Sequence, residues 1–124
     1  MYNNTDKKPE MGLYFTRGTT QSYIMSFYDP DDQTTPLSTD DWEDVRITIK
    51  QFENTLIRKS TKEGTATLNP NWTVTINLTQ DETLRFQPGT AYIQPHILTK
   101  DGKAYADKDI IPIKVYDILD GGPI

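Results

Sequence analysis

Residues 71–119 read NWTVTINLTQDETLRFQPGTAYIQPHILTKDGKAYADKDIIPIKVYDIL, and this stretch decides the fold. Trp72, Val74, Ile76 and Leu78 alternate with Thr73, Thr75 and Asn77, the period of two that marks a half-buried strand. Thr79 and Glu82 have capping-box spacing, which predicts a short helical turn over 80–86, ended by Gln87-Pro88-Gly89. Two more strands follow, around 92–98 and 110–116, with a hairpin signal at Lys100-Asp101-Gly102-Lys103 between them. Each carries a proline, Pro95 or Pro112, which cannot donate to a sheet ladder and so belongs at an unpaired side or a bulge.

The same pattern extends towards the N-terminus. Leu13 to Phe15 begins a strand that Arg17-Gly18-Thr19 interrupts. From 22 to 28, Tyr23, Met25 and Phe27 share one face and Ser22, Ile24 and Ser26 the other. Val45, Ile47 and Ile49 alternate with Arg46, Thr48 and Lys50, then a turn at 52–55 leads into a returning strand over 56–59. A turn at 60–64 and a short strand at 65–68 complete the set. Ser38 and Asp41 are spaced like a helix start and predict one turn over 39–44. Seven to nine short strands with one or two helical turns argue for an all-β, immunoglobulin-like β-sandwich. A closed barrel is the alternative, and the two strand prolines count against it. The expected core is Val45, Ile47, Ile49, Trp72, Val74, Ile76, Ile111, Ile113 and Val115, each on the apolar parity of its strand.

A chain of 124 residues makes one domain with a core of its own. Its organisation reads as a polar N-terminal arm over 1–11, a sandwich over 12–119 and a short tail over 120–124. Eighteen acidic residues against 13 basic ones give a net charge of −5, a poor match to a phosphate backbone, so nucleic acid is not an expected partner. No apolar run is long enough to span a bilayer, and residues 1–10 lack the apolar core of a secretory signal, so no membrane partner is expected. The absence of cysteine rules out disulfides and thiolate metal sites and fits assembly in a reducing cytoplasm.

The residues able to do chemistry form no catalytic set. His96, the single histidine, stands beside Pro95 in a strand with no nucleophile in a triad pattern, and reads as a surface residue. Ser22, Ser26, Ser38 and Ser60 lack the nucleophile-elbow context, and no glycine-rich phosphate loop is present. Asp29, Asp31, Asp32, Asp40, Asp41, Glu43 and Asp44 crowd one segment, where calcium is one reading and solvated loops the plainer one, since the spacing is not that of an EF-hand. No catalytic residue, cofactor or metal is therefore assigned. Tyr14, Tyr23, Tyr28, Trp42, Trp72, Tyr92 and Tyr105 suit stacking on sugar rings or anchoring a protein interface, with Trp42 and Trp72 read as core. A flat exposed grouping of the tyrosines would favour a carbohydrate-binding module that attaches to a host surface.

The phrases LYFTRGTT (13–20), WEDVRITIK (42–50), LTQDETLRF (78–86), QPG (87–89), LTKDGK (98–103) and VYDILDGGPI (115–124) resemble small immunoglobulin-like structural proteins of phages and prophages of Gram-positive bacteria. The resemblance covers most of the chain beyond residue 11. It implies a non-enzymatic virion protein acting as an adaptor or decoration in a neck, tail, baseplate or head. The implied partners are other virion structural proteins and further copies of the chain, in a particle assembled in the host cytoplasm. The two ends are the expected contact elements: Tyr2 and Met11 in the arm, and Ile118, Leu119 and Ile124 at the other end, fill a neighbour's pockets.

Overall fold

The computed structural model describes residues 13–29, 31, 32, 34–106 and 111–117. Its strands are β1 (Leu13–Thr16), β2 (Gln21–Met25), β3 (Trp42–Gln51), β4 (Asn54–Ser60), β5 (Ala66–Leu68), β6 (Val74–Leu78), β7 (Gly89–Thr99), β8 (Ala104–Ala106) and β9 (Ile111–Tyr116), with one helical turn, α1 (Gln80–Thr83), between β6 and β7. The larger sheet runs β1-β9-β7-β3-β4, with β8 beside the far end of β7, and the smaller runs β2-β6-β5. Only the β1–β9 pairing is parallel among the described strands. This is the immunoglobulin-like β-sandwich, with β4 extending the larger sheet beyond β3 as in variable-type domains.

Strand parity builds the core. Val45, Ile47 and Ile49 of β3, Ala91 and Ile93 of β7, and Ile113 and Val115 of β9 all face inward and are buried. Val74, Ile76 and Leu78 meet them from the smaller sheet. Phe15 and Phe86, both fully enclosed, touch edge to face with 5.2 Å between ring centres. Ile111 is only half-buried, because it lies at the start of β9 where the core thins.

The prolines sit where the ladder has room for them. Pro95 pairs with Ile47 on one side, and on the other it falls in the gap between Ile93, paired with β9, and His96, paired with β8. Pro112 pairs with Tyr92, one residue before the β1 register begins at Ile113. The capping box is complete: the Glu82 amide donates to Thr79 Oγ1 at 3.1 Å, and the Thr79 amide donates to Glu82 Oε1 at 2.9 Å. The helical turn is shorter than the sequence suggests, ending at Leu84.

Two further expectations fail. Trp72 is not in the strand: β6 begins at Val74, and Trp72 is 37% exposed with φ of 64°. Its amide donates to the Asn69 carbonyl and the Asn69 amide donates to the Thr73 carbonyl, so a turn built by Asn69-Pro70-Asn71 rotates the indole out of strand parity. No helical turn forms over 39–44 either. The Ser38 hydroxyl accepts from the Asp40 amide, but β3 starts at Trp42 because pairing with β7 outcompetes a single helical turn. Phe52 and Glu53 close the β3–β4 hairpin with positive φ at both positions, the backbone of a primed two-residue turn.

Candidate functional site

The outward parity of the larger sheet brings together residues that are scattered in the sequence. Tyr14 lies opposite Lys114, Thr16 opposite Tyr116, and Tyr92 opposite Pro112. Tyr14, Tyr92 and Tyr116 are each about half exposed, and the Tyr14 and Tyr116 rings meet edge to face at 6.1 Å. Beside them, the same face carries Lys50 opposite Tyr92, Arg58 opposite Thr48, and Arg46 opposite His96. Lys50, Arg58 and Lys114 are in no ion pair among the described residues, and the outward strand positions from Arg46 onward include no carboxylate. In a chain of net charge −5, this is a basic, tyrosine-bearing surface on an acidic molecule.

The carboxylates nearest this face are already engaged. Asp44 is buried beneath the turn after β4, where its Oδ1 accepts from Ser60 Oγ at 2.7 Å, the Lys62 amide at 3.1 Å and Thr61 Oγ1 at 3.3 Å. Burial pushes the Asp44 carboxyl up, but the Ser60, Lys62 and Thr61 donors outweigh it and hold it below its ordinary value. Glu43 is paired with Lys62 at 3.0 Å. Asp29 and Asp32 bind their own loop, accepting from the Asp31 and Thr34 amides. The acidic segment is thus dispersed into separate turns, and no group of three or more metal-ligating side chains occurs among the described residues.

A second feature lies at one end of the sandwich. The segment before β3 supplies Thr39 and Asp40, the start of β3 supplies Trp42, the end of β5 and the turn after it supply Leu68, Asn69, Pro70 and Trp72, and the β7–β8 hairpin supplies Lys100 to a cleft of about 320 Å³. Trp42 is half-buried and packs edge to face on Phe27 at 5.5 Å. The Lys100 amide donates to the Asp41 carbonyl at 2.8 Å and ties two of the loops together. The Asn69 side chain donates to Thr73 Oγ1 and Thr75 Oγ1 and fixes the third. The chain's two tryptophans therefore share one cleft, a placement that strand periodicity missed because turn chemistry sets it.

His96 is an exposed strand residue. The expected contact residues Tyr2, Met11, Ile118, Leu119 and Ile124, and the arm and tail that carry them, lie outside the described residues. No described helix is long and apolar enough to cross a membrane.

Fold and surface together define an immunoglobulin-like module with a basic aromatic sheet face and a tryptophan-lined loop end. No protein-family model and no curated protein sequence matches the chain. Among solved structures it is similar to murine CRIg, with 12% identity over 86% of this chain and 91% of that one and a TM-score of 0.40. It is also similar to the first Ig-like domain of human CD48 antigen, with 15% identity over 94% of this chain and 89% of that one and a TM-score of 0.34.

Proposed function

We propose that the protein is a non-enzymatic structural adaptor of a phage particle, joining neighbouring subunits through the outward face of its larger sheet. The observation that carries this reading is the charge segregation on that face. Three half-exposed tyrosines stand among Lys50, Arg58 and Lys114 with no carboxylate between them among the described residues, and Arg46, beside them, reaches the buried Asp44 at 4.0 Å. The grouping of Tyr14, Tyr92 and Tyr116 on one exposed face also suits sugar rings. Lys50, Arg58 and Lys114, however, in no ion pair among the described residues, select an acidic counterpart and reject a basic one, which favours a protein surface over a neutral glycan. The occupant is an acidic surface on another virion subunit. The phage setting rests on the sequence phrases at 13–20, 42–50, 78–89, 98–103 and 115–124.

The test is incorporation into particles. Purified virions are analysed by mass spectrometry and imaging for the wild-type chain and for a Lys50→Glu/Lys114→Glu variant. Both lysines are exposed and the variant keeps the fold, checked by circular dichroism. Loss of the variant from particles, with wild-type binding that weakens as salt rises, is the expected result. Normal incorporation of the charge-reversed chain overturns the docking face, and absence of the wild-type chain from every particle overturns the virion role.

A further inference from the structure

We propose that the loop end holding Trp42 and Trp72 is a saccharide-binding site, separate from the docking face and independent of it. Its volume, about 320 Å³, falls at the lower end of the size range of small-ligand clefts. Both tryptophans line it together with Thr39, Asp40, Asn69 and Lys100, residue types able to hydrogen-bond hydroxyls. A sugar ring needs this combination: an aromatic surface for its C–H face and polar groups at the rim for its hydroxyls. Asp40 and Lys100 oppose one another in sign, so the site favours a neutral ring over an anion or a cation.

Two observations separate this from ordinary packing. The Trp72 backbone has φ of 64°, a left-handed conformation that is a genuine outlier for so bulky a residue. That strain does not serve the core, because Trp72 remains 37% exposed. The Lys100–Asp41 bond and the Asn69 side-chain bonds hold all three loops in place without a ligand, so little ordering is left for binding to pay.

The chain's only two tryptophans line this cleft, so intrinsic fluorescence reports the site directly. The full chain is titrated with a neutral glucan tetrasaccharide and with a chitin tetrasaccharide, and in parallel with a tryptophan-containing peptide. A saturable change in emission with either sugar is expected. At least tenfold weaker binding is expected in both Trp72→Ala and the exposed-residue variant Asp40→Ala, each with an unaltered circular dichroism spectrum. Absence of a saturable response to both sugars overturns the proposal, as does a sugar response that both variants retain or a response to the peptide alone. The Lys50→Glu/Lys114→Glu variant binds sugar like wild type, which keeps failure here distinct from failure of the docking face.

Discussion

Replacing Asp44 with alanine removes the acceptor that ties the turn after β4 to the start of β3. Three donors converge on its Oδ1, and the strongest is the Ser60 hydroxyl at 2.7 Å, from a residue that is completely enclosed. A hydrogen bond to a charged acceptor contributes about 1.5–3 kcal/mol, and the Ser60 term applies at the upper end because no water reaches it. The Lys62 amide, at 3.1 Å, lies on a turn open to water and recovers part of its loss, and the Thr61 contact at 3.3 Å is weaker still. Together these give a loss of about 3–4 kcal/mol for Asp44→Ala. Asp44→Asn keeps the acceptor and loses only the charge, roughly half of each bond, or about 1–2 kcal/mol. Urea denaturation reads both values as a shift in midpoint at constant slope. Because the donors hold the folded carboxyl below its ordinary value, its contribution is fully present above the unfolded pKa and is lost as pH falls through the folded one. The gap between wild type and Asp44→Asn therefore closes in acid. A loss below about 1 kcal/mol for Asp44→Ala at neutral pH, or a gap to Asn unchanged by acid, refutes the reasoning.

Ile47 and Ile76 face each other's sheets with no exposure, and truncating either to alanine is expected to cost about 2–5 kcal/mol in urea melts. Thr79→Ala removes one half of the capping box and is expected to cost about 1 kcal/mol by the same measurement. Phe52→Asn with Glu53→Gly places residues suited to positive φ in the β3–β4 turn, and thermal unfolding is expected to show a gain of about 1 kcal/mol.

The parts of this fold legible in the sequence are those governed by local rules. Alternation over 45–50 and 74–78 identifies buried strands because a sheet with one covered face leaves no other parity for Val and Ile. Thr79 and Glu82 identify a cap because the motif closes on itself within four residues. What stays hidden depends on partners far along the chain. Arg17 donates to the Phe86 carbonyl at 2.6 Å and to Asp117 at 2.9 Å, and Gln51 exchanges two bonds with the Gln87 backbone. No spacing announces either clamp. The Lys59–Glu82 contact at 2.6 Å likewise joins β4 to the helical turn across the sandwich. The basic face is invisible for the same reason, since Arg46, Lys50, Arg58, Tyr92 and Lys114 meet only once the strand order is known. The tryptophan cleft needs three loops, and the turn that exposes Trp72 reads in the sequence as the start of a strand.

A sandwich consumes the inner faces of both sheets in its core, so contact with other molecules falls to outer faces, strand edges and loop ends. At the β1 edge, main-chain pairing with a partner is hindered. The Tyr14 carbonyl already accepts from the Tyr23 hydroxyl at 2.8 Å and from Gln21 Nε2 of the side chain at 3.4 Å. Burial, and then the neighbouring Tyr14 phenol, push the Tyr23 phenol up, which keeps that hydroxyl a donor at any pH the protein meets. The smaller sheet offers Ser22, Thr67, Thr75 and Asn77 on its outer side, uncharged groups around a single exposed Ile24. That surface has neither the charge to choose a partner nor the aromatic area to hold one. The larger sheet has both, and its tyrosines lie at the β1–β9–β7 side while its cations extend across to β4. On the proposed reading, a docking partner is selected by charge over this face and anchored by aromatic contact at one side, which leaves the tryptophan loops at the end of the sandwich free to meet a different ligand.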